Sequence, residues 1–227
     1  MKYEVVFLDA DGTIWDFKRS AKKAFQSVIK QFGYTGDLDL LFERYHEING
    51  ALWRRLEDGT IKKEQLRIER YQTLFQEFDL DYSVEEVSRK YLQAIANGRD
   101  LIEGAQEVCE YLSKKYRLVI VTNGMKETQT RRMAGSVIEP LIEKMIISDE
   151  ISIAKPDPAI FEYAMNAIGH KNKETVIMVG DSLRADIAGG IAYGIDTCWV
   201  NADKAENHTS LQPEYTIETI TELMGIL

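Results

Sequence analysis

The segment Val5-Val6-Phe7-Leu8 is apolar without interruption and stops at Asp9, the pattern of a strand buried on both faces of a parallel sheet. Similar runs recur at Leu118-Val119-Ile120-Val121, at Met145-Ile146-Ile147, at Val176-Ile177-Met178-Val179 and from Thr197 to Val200, with helical spacing between most of them. Short apolar runs alternating with helical segments predict an α/β fold, a Rossmann-like parallel sheet covered on both faces.

No comparable run occurs between Leu8 and Leu118. Apolar residues there recur at intervals of three and four, through Ala24, Val28 and Ile29, through Leu41, Tyr45, Ile48, Leu52 and Leu56, and through Leu66, Tyr71 and Phe75. Ser83 with Glu86 adds a capping-box start for another helix. About four helices are too many for a simple crossover between strands. Residues 17–99 are therefore expected to form an inserted α-helical cap domain, and 1–16 with 100–227 the α/β core. Past the insert, a helix is expected over Glu107–Lys115, a helix start at Asp157-Pro158, and a short terminal helix capped by Thr219 and Glu222.

The chain has 227 residues, 44% of them hydrophobic, enough for a sizeable core. Its formal charge of −9, from 37 acidic and 28 basic residues, argues against nucleic acid as the main partner. An anionic ligand must then be held locally, by a metal ion and a few donors. Neither a signal peptide nor an apolar run near the roughly 20 residues that span a bilayer is found, so no membrane partner is expected and the location expected is the cytoplasm. Cys109 and Cys198 read as buried free thiols rather than ligands.

Four segments carry candidate chemistry, each at or just after an expected strand end, where open α/β sheets bind ligands. In Asp9-Ala10-Asp11-Gly12-Thr13, glycine lets the chain turn so that two carboxylates face one ligand, a nucleophile and a proton donor; the plain alternative is a surface turn. Val121-Thr122-Asn123-Gly124 offers a hydroxyl, an amide and flexible N–H groups for a phosphate, or only a capped loop. Lys155-Pro156-Asp157-Pro158 sets a compact positive charge in a stiff loop before a helix. Val179-Gly180-Asp181-Ser182-Leu183-Arg184-Ala185-Asp186 spaces two acids across a strand-to-helix turn, hard oxygen ligands that suit Mg²⁺, although Asp181 could instead cap the helix. His46, His170 and His208 lack ligand spacing, and Gly189-Gly190 with Gly194 follows a helix start rather than a strand, which excludes a dinucleotide-binding loop.

In this order the four segments resemble the haloacid dehalogenase-type hydrolases, along essentially the whole chain. The resemblance implies Asp9 as the nucleophile forming an aspartyl phosphate and Asp11 as the acid and then base. It further implies Mg²⁺ held by Asp9, the backbone carbonyl of Asp11 and Asp181, with Lys155, Thr122 and Asn123 on the phosphoryl group and Asp186 either ligating through water or orienting the residues around the metal. Related dehalogenases and phosphonatases carry no acid at the position of Asp11, because a carbon–halogen bond needs no proton for its leaving group; Asp11 thus favours phosphate-ester chemistry.

A narrower similarity, to the noncanonical pyrimidine nucleotidase (5′-nucleotidase) family, runs through Ile48-Asn49-Gly50-Ala51-Leu52-Trp53-Arg54, through Val121 to Gly124 with Thr128-Gln129, and through Gly180-Asp181-Ser182-Leu183 with Asp196-Thr197-Cys198-Trp199. It implies a small phosphate ester as partner, a nucleoside monophosphate. A sugar-phosphate phosphatase or phosphomutase is the nearest alternative, and a non-catalytic phospho-ligand binder the next. Glu103-Gly104-Ala105 departs from the wider family, in which Pro-Gly is common there. Trp53 and Arg54 are candidates to meet a base or sugar, or Trp53 packs the insert's core.

Overall fold

The structure, a computed structural model, describes residues 2–227. It divides into an α/β unit, made of the chain up to Phe17 and Arg99–Leu227, and a helical unit, Lys18–Gly98.

The α/β unit is built on β1 (Val5–Leu8), which leads into the helical unit's α1 (Phe17–Gln31), α2 (Leu38–Glu57), α3 (Lys63–Glu77) and α4 (Val84–Ile95). The chain then returns through α5 (Ala105–Leu112), β2 (Arg117–Thr122), α6 (Lys126–Met133), β3 (Lys144–Ile147), α7 (Ser148–Ile151) and α8 (Ala159–Ala167). Next come β4 (Val176–Gly180), a π-helical turn at Leu183–Ile187, α9 (Ala188–Tyr193), β5 (Asp196–Val200), β6 (Tyr215–Ile217) and α10 (Leu223–Ile226).

Six parallel strands form one sheet in the order β3-β2-β1-β4-β5-β6. Alternate residues of its central strands enter two separate cores, which explains why each run is apolar throughout. Val6, Leu8, Leu118, Ile120, Ile177 and Val179 pack with Val108, Cys109 and Leu112 of α5 on one face. Val5, Phe7, Val119, Val121, Val176 and Met178 pack with Ile160, Phe161, Ala164 and Met165 of α8 on the other. Successive strands step outward from β1 through β2 to β3 and then jump to β4 on its far side. The crevice of such a sheet opens at that reversal, beyond the carboxyl ends of β1 and β4, and the register puts Asp9 and Asp181 there, just past the paired residues Leu8 and Val179.

Three expectations need correction. The helix expected over Glu107–Lys115 runs instead from Ala105 to Leu112, starting directly after Gly104, which has a φ of 79°. At α4 the box is half formed: Ser83 Oγ accepts the Glu86 N–H at 3.2 Å, but the Glu86 carboxylate lies 3.6 Å from Lys90 Nζ. The Thr219–Glu222 box is complete, yet it starts a 3₁₀ turn, and only then the four residues of α10. β6 was not anticipated.

In the helical unit Phe25, Phe42, Tyr45, Tyr71 and Tyr91 form a buried aromatic cluster, with Phe25 and Tyr45 stacked at 4.5 Å between centroids. Arg70 is buried among them, 5.0 Å from the Tyr71 ring centre and 5.1 Å from that of Tyr91, and donates to Asn49 Oδ1 at 3.1 Å. Trp53 is half-buried and Arg54 exposed. Among the described residues, no helix is long and apolar enough to cross a membrane. Cys109 and Cys198 are free and buried, and burial pushes both thiols up to about 12.

Candidate active site

The turn after β1 is fixed by its own backbone. The Ala10 carbonyl accepts the N–H groups of Ile14 at 3.0 Å and Trp15 at 2.8 Å, and Gly12 N–H bonds the Trp15 carbonyl at 3.0 Å. Gly12 is required here, since its φ is 95° and a Cβ on it would stand 2.5 Å from Asp181 Oδ2. The turn therefore lies directly against Asp181, and Thr13 reaches the same carboxylate, its hydroxyl 3.4 Å from Asp181 Oδ1.

Lys155 is buried at the centre of the site. Its ammonium donates to Asp9 Oδ1 at 2.6 Å and to the Val121 carbonyl at 2.6 Å, and lies 2.7 Å from Asp186 Oδ1. Burial alone would depress a lysine, but Asp186 and Asp9 outweigh it and hold the amine charged, above its ordinary range. Asn123 secures that lysine from its own loop: Nδ2 donates to the Lys155 carbonyl and Oδ1 accepts the Lys155 N–H, both at 2.8 Å. Asn123 thus spends its amide on positioning Lys155. Thr122 Oγ1 accepts the Gly124 N–H at 3.0 Å, which leaves the hydroxyl proton for another acceptor.

Carboxylate oxygens of Asp9, Asp181 and Asp186 lie within 4.8 Å of one another. Burial raises the Asp9 carboxyl well above the usual range; Lys155 opposes this, and Asp186 and Asp181 reinforce it. Crowding by protein, then the charge of Asp186, pushes Asp181 up to about 7, although the residue keeps access to solvent. Asp181 is not the helix cap: Ser182 Oγ accepts the Ala185 N–H at 3.1 Å in that role. Both oxygens of Asp186 have neighbours, Oδ1 the Lys155 ammonium and Oδ2 the Ser182 N–H at 2.9 Å.

A family model described as haloacid dehalogenase-like hydrolase matches residues 3–194. The chain belongs to this family. The hydrolase is 31% identical to the HAD-hydrolase YfnB of Bacillus subtilis, whose crystal structure is titled as bound to magnesium and revealing interdomain movement; the two superpose with a TM-score of 0.94 over 100% of this chain and 99% of that one. It is 33% identical over 228 residues to the pyrimidine 5′-nucleotidase PynA of Streptococcus pneumoniae, covering 100% of this chain and 96% of the relative. To the pyrimidine 5′-nucleotidase YjjG of Escherichia coli it is 28% identical, covering 100% and 99%.

The acidic cluster of this hydrolase fits a hard divalent cation. Three carboxylates face one lysine, a surplus of two negative charges if all are ionised, and the donor set is oxygen throughout, as Mg²⁺ prefers. Asp9, Asp181 and Asp186 each have an oxygen within reach of it, and Asp186 in addition meets the Lys155 ammonium and accepts the Ser182 N–H. Asp11 lies outside this carboxylate cluster; its side chain turns to α6, where Gln129 Nε2 donates to Oδ2 and Arg132 Nη1 to Oδ1. Gln129 and Arg132 escaped the sequence reading as site residues. Thr128-Gln129 was visible as part of a family resemblance, but nothing local distinguishes Arg132 from the adjacent Arg131.

Proposed function

We propose that this hydrolase is a Mg²⁺-dependent phosphatase whose substrates are pyrimidine nucleoside 5′-monophosphates. The observation that carries the reading is the pairing of Asp9, gripped by Lys155 at 2.6 Å inside the acidic cluster, with a second acid, Asp11, on the same short turn. Likeness over the full chain to PynA and YjjG supports the nucleotide.

Asp9 attacks phosphorus, forming its Oδ–P bond as the bond to the ester oxygen breaks. Asp11 gives its proton to the departing oxygen, then takes one from the water that attacks the aspartyl phosphate and frees Asp9. The Thr122 hydroxyl meets the phosphoryl oxygens, the Lys155 ammonium shares with them the N–H that now holds Asp9, Asn123 holds the Lys155 backbone, and Asp186 fixes the ammonium. Asp9, Asp181 and the Asp11 carbonyl would hold Mg²⁺, which would supply the neutralising charge that lets a carboxylate approach an anion.

Phosphate release from dUMP or dTMP should need Mg²⁺ and vanish in Asp9→Asn. Robust turnover by that variant sinks the mechanism; isomerisation of a sugar phosphate with little net phosphate release would make the protein a phosphomutase.

A further inference from the structure

Asp11 is held from one side by a pair of residues that the proposed chemistry has not used. Gln129 and Arg132 stand one turn apart on α6 and so share a face. Each takes a different oxygen of the Asp11 carboxylate, and both are buried, Arg132 completely, whereas the Asp11 side chain is 25% exposed. The grip thus comes from buried donors, while part of the acid stays open to solvent.

Both donors are themselves braced. The Arg132 guanidinium lies 5.7 Å from the Trp15 ring centre and 5.8 Å from that of Phe17, against the same turn that carries Asp11. Gln129 lies over Gly124, where a Cβ would come within 2.2 Å of its Nε2. Nε and Nη2 of Arg132 and Oε1 of Gln129 are buried with no hydrogen-bond partner among the described residues. Burying a guanidinium with two of its nitrogens unsatisfied costs stability. For folding alone a well-packed apolar residue would serve as well or better.

We propose that Gln129 and Arg132 are positioning residues for proton transfer: they lock the rotamer of Asp11 so that its outward lone pairs face the leaving oxygen. Each carboxyl oxygen has two lone pairs, so accepting one bond from α6 leaves the other free to carry the transferred proton. Because α6 follows directly on Thr122 and Asn123, one segment orients both the phosphoryl group and the acid. The inference rests on Asp11 being the leaving-group acid.

Leaving-group dependence tests it. With Mg²⁺ present, kcat/KM reports the step that breaks the ester bond, and it is measured for dUMP and glycerol 2-phosphate, which expel a basic alkoxide, and for p-nitrophenyl phosphate, which expels a phenolate needing little protonation. For Arg132→Gln and Gln129→Met we expect a loss of about 10- to 100-fold on the alkyl esters and less than about threefold on p-nitrophenyl phosphate, with Arg132→Lys in between. Equal losses on both kinds of ester, or no loss on either, overturn the proposal. Should Arg132→Gln fail to fold, Gln129→Met reads the same contrast with no charge removed. Asp11→Asn is the reference: if it lacks the contrast, the reading of Asp11 itself falls; if it has the contrast and the α6 variants lack it, only the positioning role falls. Failure of wild type on dUMP alone rejects the nucleotide and leaves glycerol 2-phosphate to read the contrast.

Discussion

Asn123 and Lys155 hold each other through a closed pair of hydrogen bonds, amide to carbonyl and N–H to amide, each 2.8 Å long. A residue after β2 thereby fixes the backbone of a residue beyond β3, and the ammonium at the end of that side chain meets Asp9. Asn123→Ala removes both bonds and leaves the Lys155 N–H and carbonyl to find other partners. We expect a stability loss of about 1–3 kcal/mol in urea denaturation, together with a fall in kcat/KM. Unchanged activity at reduced stability would separate the loop from the chemistry.

Gly12→Ala puts a methyl group where the Asp181 carboxylate now lies and asks an L-residue to hold a φ of 95°. The backbone strain alone should cost about 1–3 kcal/mol. Displacement of Asp181 should in addition weaken Mg²⁺ binding, seen as a rightward shift in a calorimetric titration. Wild-type affinity in a destabilised variant would take Asp181 out of the metal site.

Without metal, stability should fall as the pH rises from about 4, where a carboxyl in the unfolded chain loses its proton, to about 7, the value to which Asp181 is pushed. In that window the native protein retains a proton that the unfolded chain has released, and Asp9, raised in the same direction, adds to the trend. Mg²⁺ held by these carboxylates would replace those protons. Thermal melts in EDTA should therefore show a lower Tm at pH 8 than at pH 5, and the gain on adding Mg²⁺ should be small at pH 5 and large at pH 8. Asp196 and Glu143, lowered in the folded protein, contribute stability that is lost progressively below about pH 5 and so leave the comparison of pH 5 with pH 8 undisturbed.

The thiols of Cys109 and Cys198, buried in the core beside α5 and raised to about 12, should not react with Ellman's reagent in the native protein at pH 8, and both should react in urea. Rapid labelling of the native protein would show that this face of the sheet opens readily.

The strands that carry the site were legible because burial on both faces makes a strand continuously apolar, and each run ends where its chemistry begins, at Asp9, Thr122 and Asp181. β6 was not, since Tyr215, Thr216 and Ile217 lie at the sheet edge with one residue half-buried, one exposed and one buried. The role of Arg132 was equally hidden. An arginine near a helix end reads as a solvated charge, and its burial follows from contacts with Trp15 and Asp11, more than a hundred positions away in the chain. The limits of α5 moved as well: the chain takes a positive φ at Gly104, directly before the helix, and the helix ends at Leu112.

Where the helical unit is spliced into the α/β unit, the outgoing and returning segments are zipped together. Asp16 N–H bonds the Asp100 carbonyl, Ile102 N–H bonds the Ile14 carbonyl, each at 2.9 Å, and Trp15 pairs with Leu101 in an antiparallel bridge. The sheet is therefore sealed on its own side of the junction, and its continuity does not depend on what lies between. Such a junction makes the insert a modular part: it can be lengthened, shortened or exchanged during divergence while Asp9, Lys155 and Asp181 stay in register.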